Sequence, residues 1–323
     1  MSVPFDAVLL VAFGGPQGPA DVRPFLENVL RGRRVSPERI DEVAHHYELF
    51  GGVSPLTALT LAQARALEAR LDARGLPLPV HVGMRNWHPY LADTLAEMAR
   101  AGVRRAIGVL ASAQRSYSGC GQYRENVRDA RTALAATGAP SPDVTYVSDW
   151  HENPGFIEAN ADHVREAIER LPEEHQAGAR LIFTAHSIPL TMAGQYPYVA
   201  QLQASAERIA EAVARPDWAL VYQSRSGRPG DPWLEPDICD YLRAERAKGL
   251  EAAVLCPVGF LCDHVEVLYD LDVEAADTCV EAGILMARAE AVNTHPRFIE
   301  ALADAVLDVW ARYAGGRPLA IVP

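Results

Sequence analysis

AVLLVAF, residues 7–13, is an unbroken apolar run that stops at Gly14-Gly15-Pro16. It has the length of a strand rather than a helix, and an apolar run without alternation is a strand buried on both faces, as in a parallel sheet. Runs of the same kind recur at 80–84, 105–111 and 144–147, then at 180–185, 218–223, 252–258 and 285–289. Helical periodicity fills the intervals at 57–73, 90–101, 123–136, 154–170, 198–214 and 237–247, with a last helix at 296–312. Strand followed by helix, repeated, predicts an α/β protein of two Rossmann-like units, each a four-stranded parallel sheet flanked by helices. The two halves share spacing without obvious identity. Asn153, Pro154 and Gly155 in SDWHENPG (148–155) are turn formers and mark the boundary. The expected domains are 1–150 and 151–323, with the helix near 296–312 packing back on the first.

The chain has 323 residues, a length that at roughly 150 residues per domain agrees with two domains. Hydrophobic residues at 49% and charged residues at 22% are a globular composition. A formal charge of −12, from 30 Lys plus Arg against 42 Asp plus Glu, argues against a nucleic-acid partner. No apolar stretch approaches the ~18–20 residues of a membrane span, and MSVPFDAV lacks the layout of a signal peptide. A cytoplasmic monomer is expected. Five cysteines, Cys120, Cys239, Cys256, Cys262 and Cys279, form no CxxC pair, so neither a disulfide framework nor a zinc-finger spacing is present.

Ligands of such folds bind outside the carboxyl ends of the strands, in the crevice between units. Gly14-Gly15-Pro16 follows the first strand, His186 the fifth, Gln223-Ser224-Arg225 the sixth and Gly259-Phe260 the seventh. His186 there is a base, a metal ligand or a buried structural histidine. In DHVEVLYDLDVE (263–274), Glu266, Asp270 and Glu274 recur at i, i+4 and i+8, with Asp263 and His264 in the first turn. Like charges at that spacing repel on an isolated helix. Either open solvent or a cation offsets the repulsion, and carboxylates beside an imidazole suit a loosely held divalent metal. The FGGP turn lacks the phosphate-binding fingerprints and reads as a tight turn against which a flat ligand lies. Ser54 and Pro55 read as the N-cap and first residue of a helix. Arg31, Arg33 and Arg34, with Arg115, Tyr117 and Tyr123, are candidates to hold a ligand carboxylate.

Together, LLVAFGGP (9–16), FGGVSPL (50–56), FTAHSIPL (183–190), YQSRSGRPGDPWLEPD (222–237) and CPVGFLCDHVEVLYDLDVE (256–274) resemble a ferrochelatase in order and spacing. GMRNWHP (83–89) and SYSGCGQYREN (116–126) resemble actinobacterial-type members. The resemblance implies a chelatase-like fold and insertion of Fe²⁺ into a porphyrin in haem synthesis, coproporphyrin III being favoured over protoporphyrin IX. It implies that His186 and Glu266 bind the metal or accept the pyrrole protons. Asp270 and Glu274 then continue a metal track on a partly π-type helix, supported by Asp263 and His264. Phe13, Arg31, Arg34, Ser54, Tyr117 and Tyr123 match the porphyrin side, Phe13 standing where several relatives place Tyr. Other haem-pathway enzymes are conceivable partners. A [2Fe–2S] cluster, held in some relatives by cysteines of a C-terminal tail, has no tail ligands here and would fall to the internal five. A non-catalytic haem or porphyrin carrier, and a cobalt or nickel chelatase, are the competing readings.

Overall fold

A computed structural model describes residues 4–32, 35–226 and 230–316. Among the described residues eight strands form two four-stranded sheets. In the first, β1 (Ala7–Ala12), β2 (Val80–Met84), β3 (Arg105–Leu110) and β4 (Asp143–Tyr146) lie in the order β2-β1-β3-β4. In the second, β5 (Arg180–His186), β6 (Trp218–Gln223), β7 (Ala252–Cys256) and β8 (Leu285–Arg288) lie in the order β6-β5-β7-β8. Every pairing is parallel. The apolar runs become strands because helices cover both faces; all six residues of β1 are buried. β7 stops at Cys256, short of residue 258, because Pro257 has no N–H for the ladder and Val258 N–H turns back to the Cys256 carbonyl (2.8 Å).

The helices are α1 (Val22–Val29), α2 (Pro37–Leu49), α3 (Pro55–Ala73), α4 (Leu91–Arg100), α5 (Gln122–Ala136), α6 (Pro154–Glu169) and the single turn α7 (Glu173–Gln176). They continue with the single turn α8 (Leu190–Ala193), α9 (Tyr198–Ala212), α10 (Ile238–Arg246), α11 (Val265–Tyr269), α12 (Ala276–Ala282) and α13 (Pro296–Ala314). Starts follow local chemistry. Asn153 caps α6 by accepting from Gly155 N–H at 2.9 Å, and Asp237 caps α10 by accepting from Cys239 N–H at 2.8 Å. The sequence reading lacked α1 and α2. Pro24 interrupts the pattern of α1, and α2 buries only Ala44 and Tyr47, which leaves almost no apolar stripe to detect.

Two compact units divide the chain: residues up to Ala111, Ser118–Asp149 and the chain from Ile299 make the first, and Ser112–Tyr117 with Trp150–Phe298 make the second. The first core gathers Leu9 and Val11 with Leu91, Leu95 and Met98. In the same unit Arg70 and Arg74 bond Glu300 of α13, and Phe5 meets the Tyr313 ring edge-on at 4.9 Å. The second core gathers Ile182, Val221 and Leu255 with Val267 and Leu271. Among the described residues no helix is long and apolar enough to cross a membrane.

Candidate active site

The second unit holds the chemically dense region. His186 is the last residue of β5 and stands in register with Gln223, the last of β6. Its Nδ1 bonds the Ser187 carbonyl. A carbonyl only accepts, so Nδ1 is the donor here, and in the neutral imidazole Nε2 then holds the lone pair. Tyr198 donates its hydroxyl to the His186 carbonyl at 3.1 Å, and burial pushes that phenol well above its usual range, so it stays a donor. His186 Nε2 lies 3.9 Å from Glu266 Oε2. A lone pair and a carboxylate at that separation leave room for a cation or a proton between them.

Glu266 sits in the first turn of α11, and the chain then widens into a π turn over Asp270–Ala275 before α12. A four-residue step along an α-helix overshoots a full turn by about 40°. The same step falls short in the wider π turn, so the two drifts oppose each other along Glu266, Asp270 and Glu274. Asp270 Oδ2 accepts from Gln223 Nε2 at 3.2 Å and from Ser224 Oγ. Burial drives the Asp270 pKa up to about 7 against the Ser224 hydrogen bond, and the charges of Glu266 and Glu274 push the same way. The hydroxyl of Ser224 reaches Asp270 from a left-handed backbone (φ 59), an uncommon conformation for a residue with a side chain.

Asp263 and His264 precede the helix rather than forming its first turn. His264 is extended (φ −150) and caps α11, its Nδ1 accepting from Val267 N–H at 3.4 Å. Burial lowers its pKa, against the attraction of Glu266 and Asp263. Asp263 accepts from Arg288 Nη1 at 2.8 Å and from Asn293 Nδ2 at 2.7 Å. Arg288 also donates Nε to Asp272 at 2.7 Å. Burial works against the Arg288 charge, but its bonds to Asp272 and Asp263 outweigh it and hold the group more basic than usual.

The residues expected on the porphyrin side fare differently. Phe13 is half-buried and packs edge-on to Phe25 at 6.3 Å. Arg31 is exposed, donating to Asn28 Oδ1 at 2.6 Å, and Tyr117 is exposed. Arg34 lies outside the described residues. Tyr123 is 5% exposed and belongs to the first unit's core, which removes it from any open surface. Ser54 is buried and spends its hydroxyl on the α3 cap. The glycine turn is also filled from within. A Cβ on Gly15 would meet Ser54 Cβ at 2.8 Å, and one on Gly14 (φ 85) the Trp87 nitrogen at 3.0 Å. Its glycines therefore serve close approach of the chain to itself.

All five cysteines are free thiols. Among the described residues no three His, Cys, Asp or Glu side chains gather so as to hold a metal ion. Burial pushes the Cys256 thiol far up and the Cys279 thiol up to about 12, so both are protonated thiols here.

Reasoning from sequence left Arg288, Asp272, Asn293 and Tyr198 out of the site. The strand-end rule that singled out His186 applies equally to Arg288, at the carboxyl end of the eighth strand.

Comparison with known proteins places this architecture. A family model described as Ferrochelatase matches residues 5–309. A ferrochelatase of Rhodopirellula baltica is 49% identical over 304 residues, covering 94% of this chain and 86% of that protein. A coproporphyrin III ferrochelatase of Streptomyces coelicolor is 47% identical, covering 94% of this chain and 85% of the other. One from Mycolicibacterium vanbaalenii is 46% identical, covering 93% and 89%. Among solved structures, SirB from Bacillus subtilis with Fe³⁺ shares the fold at a TM-score of 0.59, with 12% identity, covering 97% of this chain and 99% of that one.

Proposed function

The chain belongs to the ferrochelatase family, a family of metal chelatases, and from that premise we propose that it inserts ferrous iron into coproporphyrin III. The observation that carries this reading is the pair His186–Glu266, 3.9 Å apart at the head of a carboxylate series. Two pyrrole N–H protons leave as iron enters, so the site must offer both a proton acceptor and a path for a dication. With Nδ1 committed to the Ser187 carbonyl, Nε2 of His186 is the acceptor, and the Glu266 carboxylate stabilises the imidazolium that results. Glu266, Asp270 and Glu274 pass the iron forward as hard oxygen ligands, which bind it without the grip of thiolates.

Asp270 has the second proton-handling role. A carboxyl with a pKa of about 7 exchanges its proton near neutrality, and an arriving dication displaces that proton. Gln223 and Ser224 hold its Oδ2 in place meanwhile. Asp263 and His264 fix the start of α11. On the porphyrin side, Phe13 packs on the macrocycle and the exposed Arg31 and Tyr117 meet propionates, of which coproporphyrin III has four.

Anaerobic incubation of the protein with Fe²⁺ and either coproporphyrin III or protoporphyrin IX tests the proposal by the absorbance of the metallated product. Preferential metallation of coproporphyrin III is expected. Preference for protoporphyrin IX would overturn the substrate assignment, and metallation of neither would overturn the activity.

A further inference from the structure

The side of the π turn away from Asp270 carries a carboxylate that the iron path does not use. Asp272, two residues beyond Asp270, takes Arg288 Nε at 2.7 Å. The same guanidinium gives Nη1 to Asp263 at 2.8 Å, immediately before the α11 cap. Arg288 therefore holds both the start of α11 and the interior of the π turn. Arg288 and Asp263 expose only 12% of their side chains, and Asp272 37%. The rest of Asp263 is also occupied: Asn293 Nδ2 donates to it at 2.7 Å, and Asn293 Oδ1 accepts its backbone N–H at 2.9 Å. One fork-shaped cation thus bridges two carboxylates from the end of a strand, a task that a point charge on a flexible stem performs poorly.

We propose that Arg288 is a positioning residue that clamps the π turn through Asp263 and Asp272, and so sets the angular placement of Asp270 and Glu274 relative to Glu266. A π turn is an α-helix with one residue too many for the local hydrogen-bond ladder, and it persists where surrounding contacts hold it. Released from Arg288, the segment is free to settle toward α geometry, where drift along the helix rotates Asp270 and Glu274 away from Glu266. The clamp acts on iron and not on the porphyrin.

The inference rests on the ferrochelatase reading, and its test separates the two. Asp272→Asn and Arg288→Lys are compared with wild type in steady-state assays with Fe²⁺ and coproporphyrin III, and in Co²⁺ titrations followed by visible absorption. Both variants are expected to raise the KM for Fe²⁺ and the Kd for Co²⁺ about tenfold, with the porphyrin KM within about twofold, as loss of an outer partner of a metal ligand does. Because Asp272 is partly exposed, Asp272→Asn keeps the test alive should Arg288→Lys fail to fold. A brace that only supports the fold would lower the melting temperature and the active fraction while leaving the KM for Fe²⁺ unchanged, and that result overturns the clamp. If wild type metallates no porphyrin, the activity reading falls, and the ratio of Co²⁺ affinities still decides the clamp.

Discussion

The two sheets have the same strand order, β2-β1-β3-β4 and β6-β5-β7-β8, and in each a further segment after the third strand departs from regular α-helix, as a kink at Gly119 and as the π turn Asp270–Ala275. Their chemistry at equivalent places is opposite. Strand β1 of the first unit runs out into Phe13-Gly14-Gly15, where the chain closes on Ser54 and Trp87 and leaves no room for a Cβ. Strand β5 of the second ends in His186, with Nε2 facing a carboxylate. The kinked segment at Gly119, which enters the first unit at Ser118, holds no acid, whereas the π turn of the second carries Asp270, Asp272 and Glu274. Topology therefore fixes where chemistry can sit, and the side chains placed there decide whether a unit packs or reacts.

Exchanging the roles of the two strand ends is the most forceful way to break that comparison. His186→Ala removes the proton acceptor and is expected to cut kcat on the order of 10²–10⁴-fold with the melting temperature held. Gly15→Ala drives a methyl into Ser54 and is expected to destabilise by roughly 1–3 kcal/mol, with activity per folded molecule retained. Calorimetry beside single-turnover assays reads both. A stability loss in the first variant matching that in the second would place His186 among the packing residues.

Asp270 sharpens the contrast through pH. Its carboxyl keeps the proton up to about 7 when folded and gives it up near 3.8 when unfolded. Between those values the folded state binds more protons, so stability falls as pH rises from about 4 to about 7 and is unaffected below. The slope for one proton is at most ~1.4 kcal/mol per pH unit, and the solvent contact of half-buried Asp270 narrows the window over which it acts. His264, lowered by burial, contributes the opposite slope below its ordinary 6.5, so the difference between wild type and Asp270→Asn in chelator isolates the carboxyl. A difference that does not change with pH would contradict the raised pKa.

Much of this was legible beforehand because the signals are local. Unbroken apolar runs specify buried parallel strands, and Ser54, Asn153 and Asp237 announce helix starts by short-range hydrogen bonds. The series Glu266, Asp270, Glu274 was visible as spacing. What was not visible depends on contacts distant in sequence. Nothing near Arg288 in the chain says that it reaches 16 residues back to Asp272 and 25 back to Asp263. Tyr123 carries the same polar tip whether it meets a ligand or lies in a core, and only packing with Leu91 and Leu95 decides it. Ser54 was readable both as a cap and as a ligand contact, and its burial favours the cap.

The smallest effect expected separates two serines, one from each unit. Ser54 caps α3 by accepting from Leu56 N–H at 3.4 Å, and Ser54→Ala leaves that donor without its partner. A long capping bond is at the weak end of the range, so a loss of about 1 kcal/mol or less is expected, with iron insertion unchanged. Ser224 instead gives its hydroxyl to Asp270, and lowers that carboxyl's affinity for a proton. In Ser224→Ala the Asp270 pKa rises further, because burial and the two neighbouring glutamates then act with less opposition. The same pH series that reads Asp270→Asn is expected to show the Asp270 window extending upward in Ser224→Ala and staying in place in Ser54→Ala. Were both variants to lose stability equally at every pH, Ser224 would be a structural residue like Ser54. The strained backbone at Ser224 would then have no part in tuning the carboxylate it touches.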